Sequence, residues 1–218
     1  MLTKLKQKVQ QLLSSEAKAA HRIGLTPNIV TVIGFVLALL AAVAYAVTTP
    51  AQPIWLITAV ILLMASGFCD TLDGVLARTY QQASPFGGFL DSLLDRYADA
   101  FVLAGVIISG ASTVVSPAFS LAAGLTALAS SFMVSYSRAR AEAAGIKMES
   151  IGIAERPERI IILAAASLVA FFWLPALIIG VIVIAVLATL TVIQRGIHVY
   201  KTLQNKEEKS AVKMVVGA

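Results

Sequence analysis

Three long stretches of this chain carry no charge, and they limit what it can fold into. The 17 Lys and Arg and the 12 Asp and Glu residues all lie outside residues 23–69, 100–137 and 160–194. These stretches run from 35 to 47 residues, whereas one helix needs about 20 apolar residues to cross a bilayer. Each is therefore long enough for two helices joined by a turn. Turn signals fall near each middle, at Thr48 to Pro53, Gly110 to Pro117 and Trp173-Leu174-Pro175. Three uncharged hairpins predict an all-α, polytopic membrane protein with six transmembrane helices. Composition agrees, since 58% hydrophobic and 13% charged residues leave too little polar surface for a soluble domain of 218 residues.

The position of the charge predicts orientation. The chain ends and the charged connections fall on one side of the hairpins, and the other side carries no Lys or Arg. The positive-inside rule makes the charged side cytoplasmic, in the cell membrane. The net charge of +5 then describes a face that attracts anionic headgroups and phosphorylated substrates. Nucleic acid is not an expected partner, because no recognition fold or basic-aromatic groove accompanies the charge. The single cysteine, Cys69, excludes an internal disulfide.

At the start, Lys4, Lys6, Lys8 and Lys18 interleave with Leu2, Leu5, Val9, Leu12 and Leu13. This spacing predicts an amphipathic helix over residues 1–22 lying on the inner leaflet, not a cleavable signal. Thr26-Pro27 reads as an N-cap followed by a helix-initiating proline. The six spans are expected at about 28–47, 53–78, 85–109, 115–143, 156–173 and 175–203. One domain therefore covers 23–203, and 204–218 reads as a polar tail. No internal repeat is visible.

Two of these spans carry carboxylates where a plain span stays apolar. An ionised group at membrane depth costs several kcal/mol unless paired or hydrated, which asks for a functional reason. Asp70 and Asp73 are three apart, and Asp91 and Asp95 are four apart. Both spacings put a pair on one helical face. Gly74 and Ala77 extend the first stripe, and Gly87 and Gly88 the second, so other groups can approach closely. The short link between the helices predicts antiparallel neighbours with facing stripes. Converging carboxylates repel unless cations lie between them, and hard ions such as Mg²⁺ or Mn²⁺ suit such ligands. Structural ion pairs with Arg78 and Arg96 are the plainer alternative.

The full pattern, Asp70-x2-Asp73-Gly74-x2-Ala77-Arg78-x8-Gly87-x3-Asp91-x3-Asp95, resembles the signature of the CDP-alcohol phosphotransferases at every fixed position. The resemblance covers nearly the whole chain. It implies two bound metal ions on the four aspartates, with Asp95 as general base. It also implies CDP-lipid contacts from Asn28, Thr31, Gly74, Arg78 and Ser84. Family members are homodimers, so the resemblance implies a dimer as well.

A second cluster bears on the acceptor alcohol. Ser135, Arg138 and Arg140 close the fourth helix, Arg156 and Arg159 open the fifth, and Arg195 lies near the end of the sixth. Positive-inside anchoring accounts for such charges, and so does a pocket for an anionic acceptor. Glu155-Arg156-Pro157-Glu158-Arg159 and Ser135-x2-Arg138-x-Arg140 look like the branch that uses inositol 1-phosphate. In that branch Ser135, Arg138, Arg140, Arg156 and Arg195 bind the acceptor phosphate, although lysine is frequent at position 138. The expected reaction moves the phosphatidyl-type group of CDP-archaeol or CDP-diacylglycerol to 1L-myo-inositol 1-phosphate and releases CMP. Glycerol 3-phosphate or serine as acceptor remain alternatives. An ion-coupled transporter is a remote one, lacking the inverted repeats and broken helices it requires.

Overall fold

The computed structural model describes residues 13–109, 116–148 and 151–216. Seven helices account for almost all of them: α1 (Ser14–Arg22), α2 (Pro27–Ala46), α3 (Ile54–Thr79), α4 (Pro85–Ile108), α5 (Pro117–Ala143), α6 (Arg156–Ala170) and α7 (Pro175–Val216). No strand forms among the described residues. Residues 1–12 of the expected amphipathic helix lie outside the description. Its remainder is α1, which buries Ala17 and Ala20 and packs on α3. There the His21 ring stacks on Tyr80 with centroids 3.7 Å apart.

Local chemistry sets the helix starts. The Thr26 hydroxyl accepts the Ile29 N–H at 3.4 Å before Pro27, and the Ser84 hydroxyl accepts the Gly87 N–H at 3.0 Å before Pro85. Both are side-chain N-caps with proline at the first helical position. Past Thr79 the chain leaves α3 through Gln81, whose φ of 54° is left-handed, and the Gln82 N–H returns to the Ala77 carbonyl at 2.9 Å.

α2 is the centre of the N-terminal half and packs against both α3 and α4. Its inward face is almost all small: Gly34, Ala38, Ala41, Ala42 and Ala44 are buried. A Cβ at Gly34 would lie 2.9 Å from the Cys69 Cβ on α3, and one at Gly105 on α4 would collide with the Ala42 carbonyl. Only glycine permits these approaches. α3 and α4 make few direct contacts with each other, because α2 packs on both, yet their charged stripes face each other as expected, with oxygens of Asp70, Asp91 and Asp95 within 4.8 Å of one another. The charged stripes cannot be packed flat on each other without their charges being compensated. Beyond this unit, α5 packs on α7 and α4, while α6 lies between α3 and α7.

Among the described residues, four helices are long and apolar enough to cross a membrane: α2, α3, α5 and the Pro175–Asn205 part of α7. Their outward faces expose large apolar side chains such as Ile61, Val43 and Leu125. The protein is therefore a multi-pass membrane protein. α4 has 24 residues but carries Asp91, Asp95, Arg96 and Asp99, and α6 has only 15. α7 differs most from expectation. It continues through Val216 instead of yielding to a polar tail after Leu203, because no Gly or Pro interrupts residues 197–216.

The connection from α5 to α6 is charged in sequence, yet its described residues are firmly seated. Ile146 and Met148 are buried against Ala141 and Val199, and Gly145 turns the chain out of α5 with a φ of 72°. The buried Thr191 hydroxyl on α7 accepts the N–H groups of Ile153 and Ala154 at 3.2 and 3.0 Å. These bonds fix where Glu155 and Arg156 begin α6.

Candidate active site

The aspartates meet in the gap that α2 keeps between α3 and α4. Asp70, Asp91 and Asp95 each present a carboxylate oxygen, all within 4.8 Å of one another. Asp73 stands beside this trio. It is 6% exposed, and its Oδ2 accepts the Thr31 hydroxyl at 2.6 Å. Thr31 in turn is braced by the Pro27 carbonyl at 3.0 Å. A recess is lined by Thr31, Asp70, Asp73, Asp95 and Arg156.

Carboxylate oxygens are hard ligands, and Asp91 Oδ1 is buried without a hydrogen-bond partner among the described residues. An orphaned buried carboxylate oxygen among two others fits a hard divalent cation.

Neither Arg78 nor Arg96 forms an ion pair with the aspartates. Arg78 is exposed and lies along Gly74, where a Cβ would come within 3.4 Å of Nη1. Arg96 donates to the Ser92 carbonyl of its own helix. The counter-charge comes from α6. Arg156 Nη1 is 2.9 Å from Asp70 and 2.7 Å from Asp95, and its Nε is 3.5 Å from Asp99. Asp99 also pairs with the buried Arg159.

Arg138 and Arg195 gather on Glu155. Arg195 is 1% exposed. It donates from Nε to the Ile151 carbonyl at 2.8 Å, from Nη1 to the Val134 carbonyl, and from Nη2 to Glu155 at 3.0 Å. Arg138 reaches Glu155 at 3.4 Å and Glu142 at 3.2 Å. Ser135 is half-buried near them, one residue beyond Val134, while Arg140 is exposed outside this network. On the other flank, Asn28 and Ser84 come together at Gly87, where a Cβ would lie 3.0 Å from Asn28 Oδ1 and from Ser84 Oγ. Arg138 and Arg195 thus meet on Glu155, the residue that precedes Arg156 at the start of α6, while Asn28, Ser84 and Gly87 form a second group at the start of α4.

Three participants escaped the sequence reading. Asp99 extends the stripe of Asp91 and Asp95 by one more turn, a periodicity signal that was present. Glu155 entered only as part of the Glu155-to-Arg159 run, with no role of its own. Thr191 gave no signal, because a hydroxyl in an apolar helix only acquires its role from the loop it meets.

This arrangement has counterparts. The family model for CDP-alcohol phosphatidyltransferase matches residues 24–202. The archaetidylinositol phosphate synthase of Pyrococcus horikoshii is 42% identical over 204 residues, covering 94% of this chain and 99% of its own. A crystal structure of Mycobacterium tuberculosis phosphatidylinositol phosphate synthase with CDP-DAG bound superposes with a TM-score of 0.74 at 31% identity, covering 87% of this chain and 94% of that one. The same enzyme in complex with manganese and citrate gives a TM-score of 0.74, also at 31% identity, over 85% and 88% of the two chains. The aspartate pattern, the helical architecture and the match along nearly the whole chain make this protein a member of the CDP-alcohol phosphatidyltransferase family, a membrane-embedded transferase.

Proposed function

We propose that this enzyme transfers the phosphatidyl-type group of a CDP-lipid, CDP-archaeol in the first instance, to 1L-myo-inositol 1-phosphate and releases CMP. The observation that carries this reading is the convergence of Asp70, Asp91 and Asp95 with Arg156, which links the carboxylates directly to the arginine-bearing start of α6. The 42% identity to an archaetidylinositol phosphate synthase supports the choice of acceptor and of ether lipid.

Asp70, Asp73, Asp91 and Asp95 would hold two ions, Mg²⁺ or Mn²⁺, which neutralise the pyrophosphate charge and stabilise departing CMP. Asp95 takes the proton of the acceptor hydroxyl, whose pKa is too high for it to ionise unaided. Asn28, Thr31, Gly74, Arg78 and Ser84 receive the cytidine diphosphate end, Arg78 with a guanidinium fork suited to phosphate. Ser135, Arg138, Arg140, Arg156 and Arg195 receive the acceptor's phosphate. Six spans, counting α4 and α6, set this site at the cytoplasmic face, and two copies of the chain pair as a homodimer.

The test is CMP release by purified protein supplied with CDP-archaeol and one acceptor at a time. Inositol 1-phosphate should far exceed glycerol 3-phosphate, serine and unphosphorylated inositol. Faster release with glycerol 3-phosphate or serine would overturn the acceptor while leaving the family chemistry in place.

A further inference from the structure

Asp99 belongs to no part of the signature, yet it faces the most consequential cation in the site. It lies one turn beyond Asp95 on α4, with its side chain 17% exposed. Its Oδ2 accepts from Arg159, which is itself fixed by donating to the Ala154 carbonyl at 3.0 Å. Asp99 is therefore held in place. Its other oxygen, Oδ1, is 3.5 Å from Arg156 Nε.

Arg156 is divided between two sides. Nη1 lies 2.9 and 2.7 Å from the Oδ1 atoms of Asp70 and Asp95, while Nε faces Asp99. The side chain also lines two spaces. One is the carboxylate recess, and the other is a neighbouring space lined by Asp99, Arg159, Ser66 and Ser131. A guanidinium bordering both spaces, with carboxylates on two sides, can shift its position between Asp99 and the pair of Asp70 and Asp95.

The two oxygens nearest Nη1 belong to Asp70 and Asp95, which the proposed function assigns to divalent ions. A hard cation sits about 2.1 Å from its oxygen ligands. A guanidinium nitrogen under 3 Å from the same oxygens repels it at close range in a low-dielectric site. Arg156 and a divalent ion thus compete for Asp70 and Asp95. Whatever draws Arg156 away strengthens metal binding.

We propose that Asp99 is a positioning residue that pulls Arg156 away from Asp70 and Asp95 and thereby sets the site's affinity for divalent cations. The inference rests on the reading that the aspartates hold metal. Without the Asp99 charge, Arg156 settles on Asp70 and Asp95, and the cation binds less tightly. Without the Arg156 charge, the cation binds more tightly and Asp99 loses its influence.

The experiment titrates the full-length protein in detergent with Mn²⁺ by calorimetry, in the absence of substrate. Asp99→Asn should raise the Mn²⁺ dissociation constant about 5- to 20-fold, a fraction of the energy of one close ion pair. Arg156→Gln should lower it, and the double variant should match Arg156→Gln alone. Asp99→Glu should stay near the parent value. An equal loss of affinity from Asp99→Asn in both backgrounds would mean that Asp99 acts as a distant charge, and unchanged affinity would mean that it has no such role; either overturns the proposal. If Asp99→Asn fails to fold, Arg156→Gln still decides, because unchanged or weaker Mn²⁺ binding contradicts the competition. Failure of the unaltered protein to bind Mn²⁺ would instead remove the metal reading beneath it.

Discussion

At the scale of single residues, the site divides into groups with different work to do, and substitution should separate them. Asp91→Asn removes a charge at a buried oxygen with no other partner, so turnover should fall below detection and added Mg²⁺ or Mn²⁺ should not restore it. Activity near the parent level would end the metal assignment. Asp95→Asn should stop turnover while leaving CDP-lipid binding measurable by calorimetry; near-normal turnover would place the base elsewhere. Arg195 and Arg140 were grouped in the sequence, but their surroundings differ. Arg195 satisfies two backbone carbonyls and Glu155 in full burial. Arg195→Gln should therefore cost about 1–3 kcal/mol, the scale for leaving buried carbonyls unpaired, seen as a lower melting temperature in detergent. Exposed Arg140→Gln should leave melting unchanged and raise the KM for the acceptor alone. Equal melting of the two variants would contradict the distinction. The four signature aspartates were legible because their spacing is local. The ion-pair partner was not, since Arg156 meets Asp70 only through tertiary packing across 86 positions of sequence.

Among the elements, capping and breaking residues made several boundaries readable. Thr26-Pro27 and Ser84-Pro85 start α2 and α4 where expected. Packing order was not readable, because the small stripe of α2 matches two helices equally well and sequence adjacency favoured pairing α3 with α4. The end of α7 was misjudged for a related reason: polar composition reads as a tail, although an uninterrupted helix can carry it. The start of α6 depends on Thr191, whose hydroxyl accepts two backbone N–H groups. Thr191→Val keeps the shape and should cost about 1–3 kcal/mol for each donor left unpaired. It should also reduce turnover by letting Arg156 drift, whereas Thr191→Ser should restore both. Full stability and activity in the valine variant would show that α6 is positioned by other contacts.

For the molecule as a whole, charge asymmetry predicts which way it sits. In a Cys69→Ala background, a cysteine at Gln52 should react with a membrane-impermeant maleimide on intact cells. One at Lys147, on the connection between α5 and α6, should react only after permeabilisation. The reverse pattern would turn the site to the other side of the membrane.

The clamp around α2 has a mechanical consequence. At Gly34 and Gly105 the contacts leave no space for even a methyl group, and close-packed interfaces of this kind transmit force with little give. The helices bearing Asp70, Asp73, Asp91 and Asp95 are therefore locked to one strut. Further along α6 the packing is just as tight, since a Cβ at Gly180 on α7 would collide with that of Ala166. The start of α6, however, is held by polar bonds from Thr191, Glu155 and Asp99 that can break and reform one at a time. A catalytic cycle that admits a bulky lipid and a sugar phosphate thus has a stationary anionic half, with its compliance concentrated at the beginning of α6.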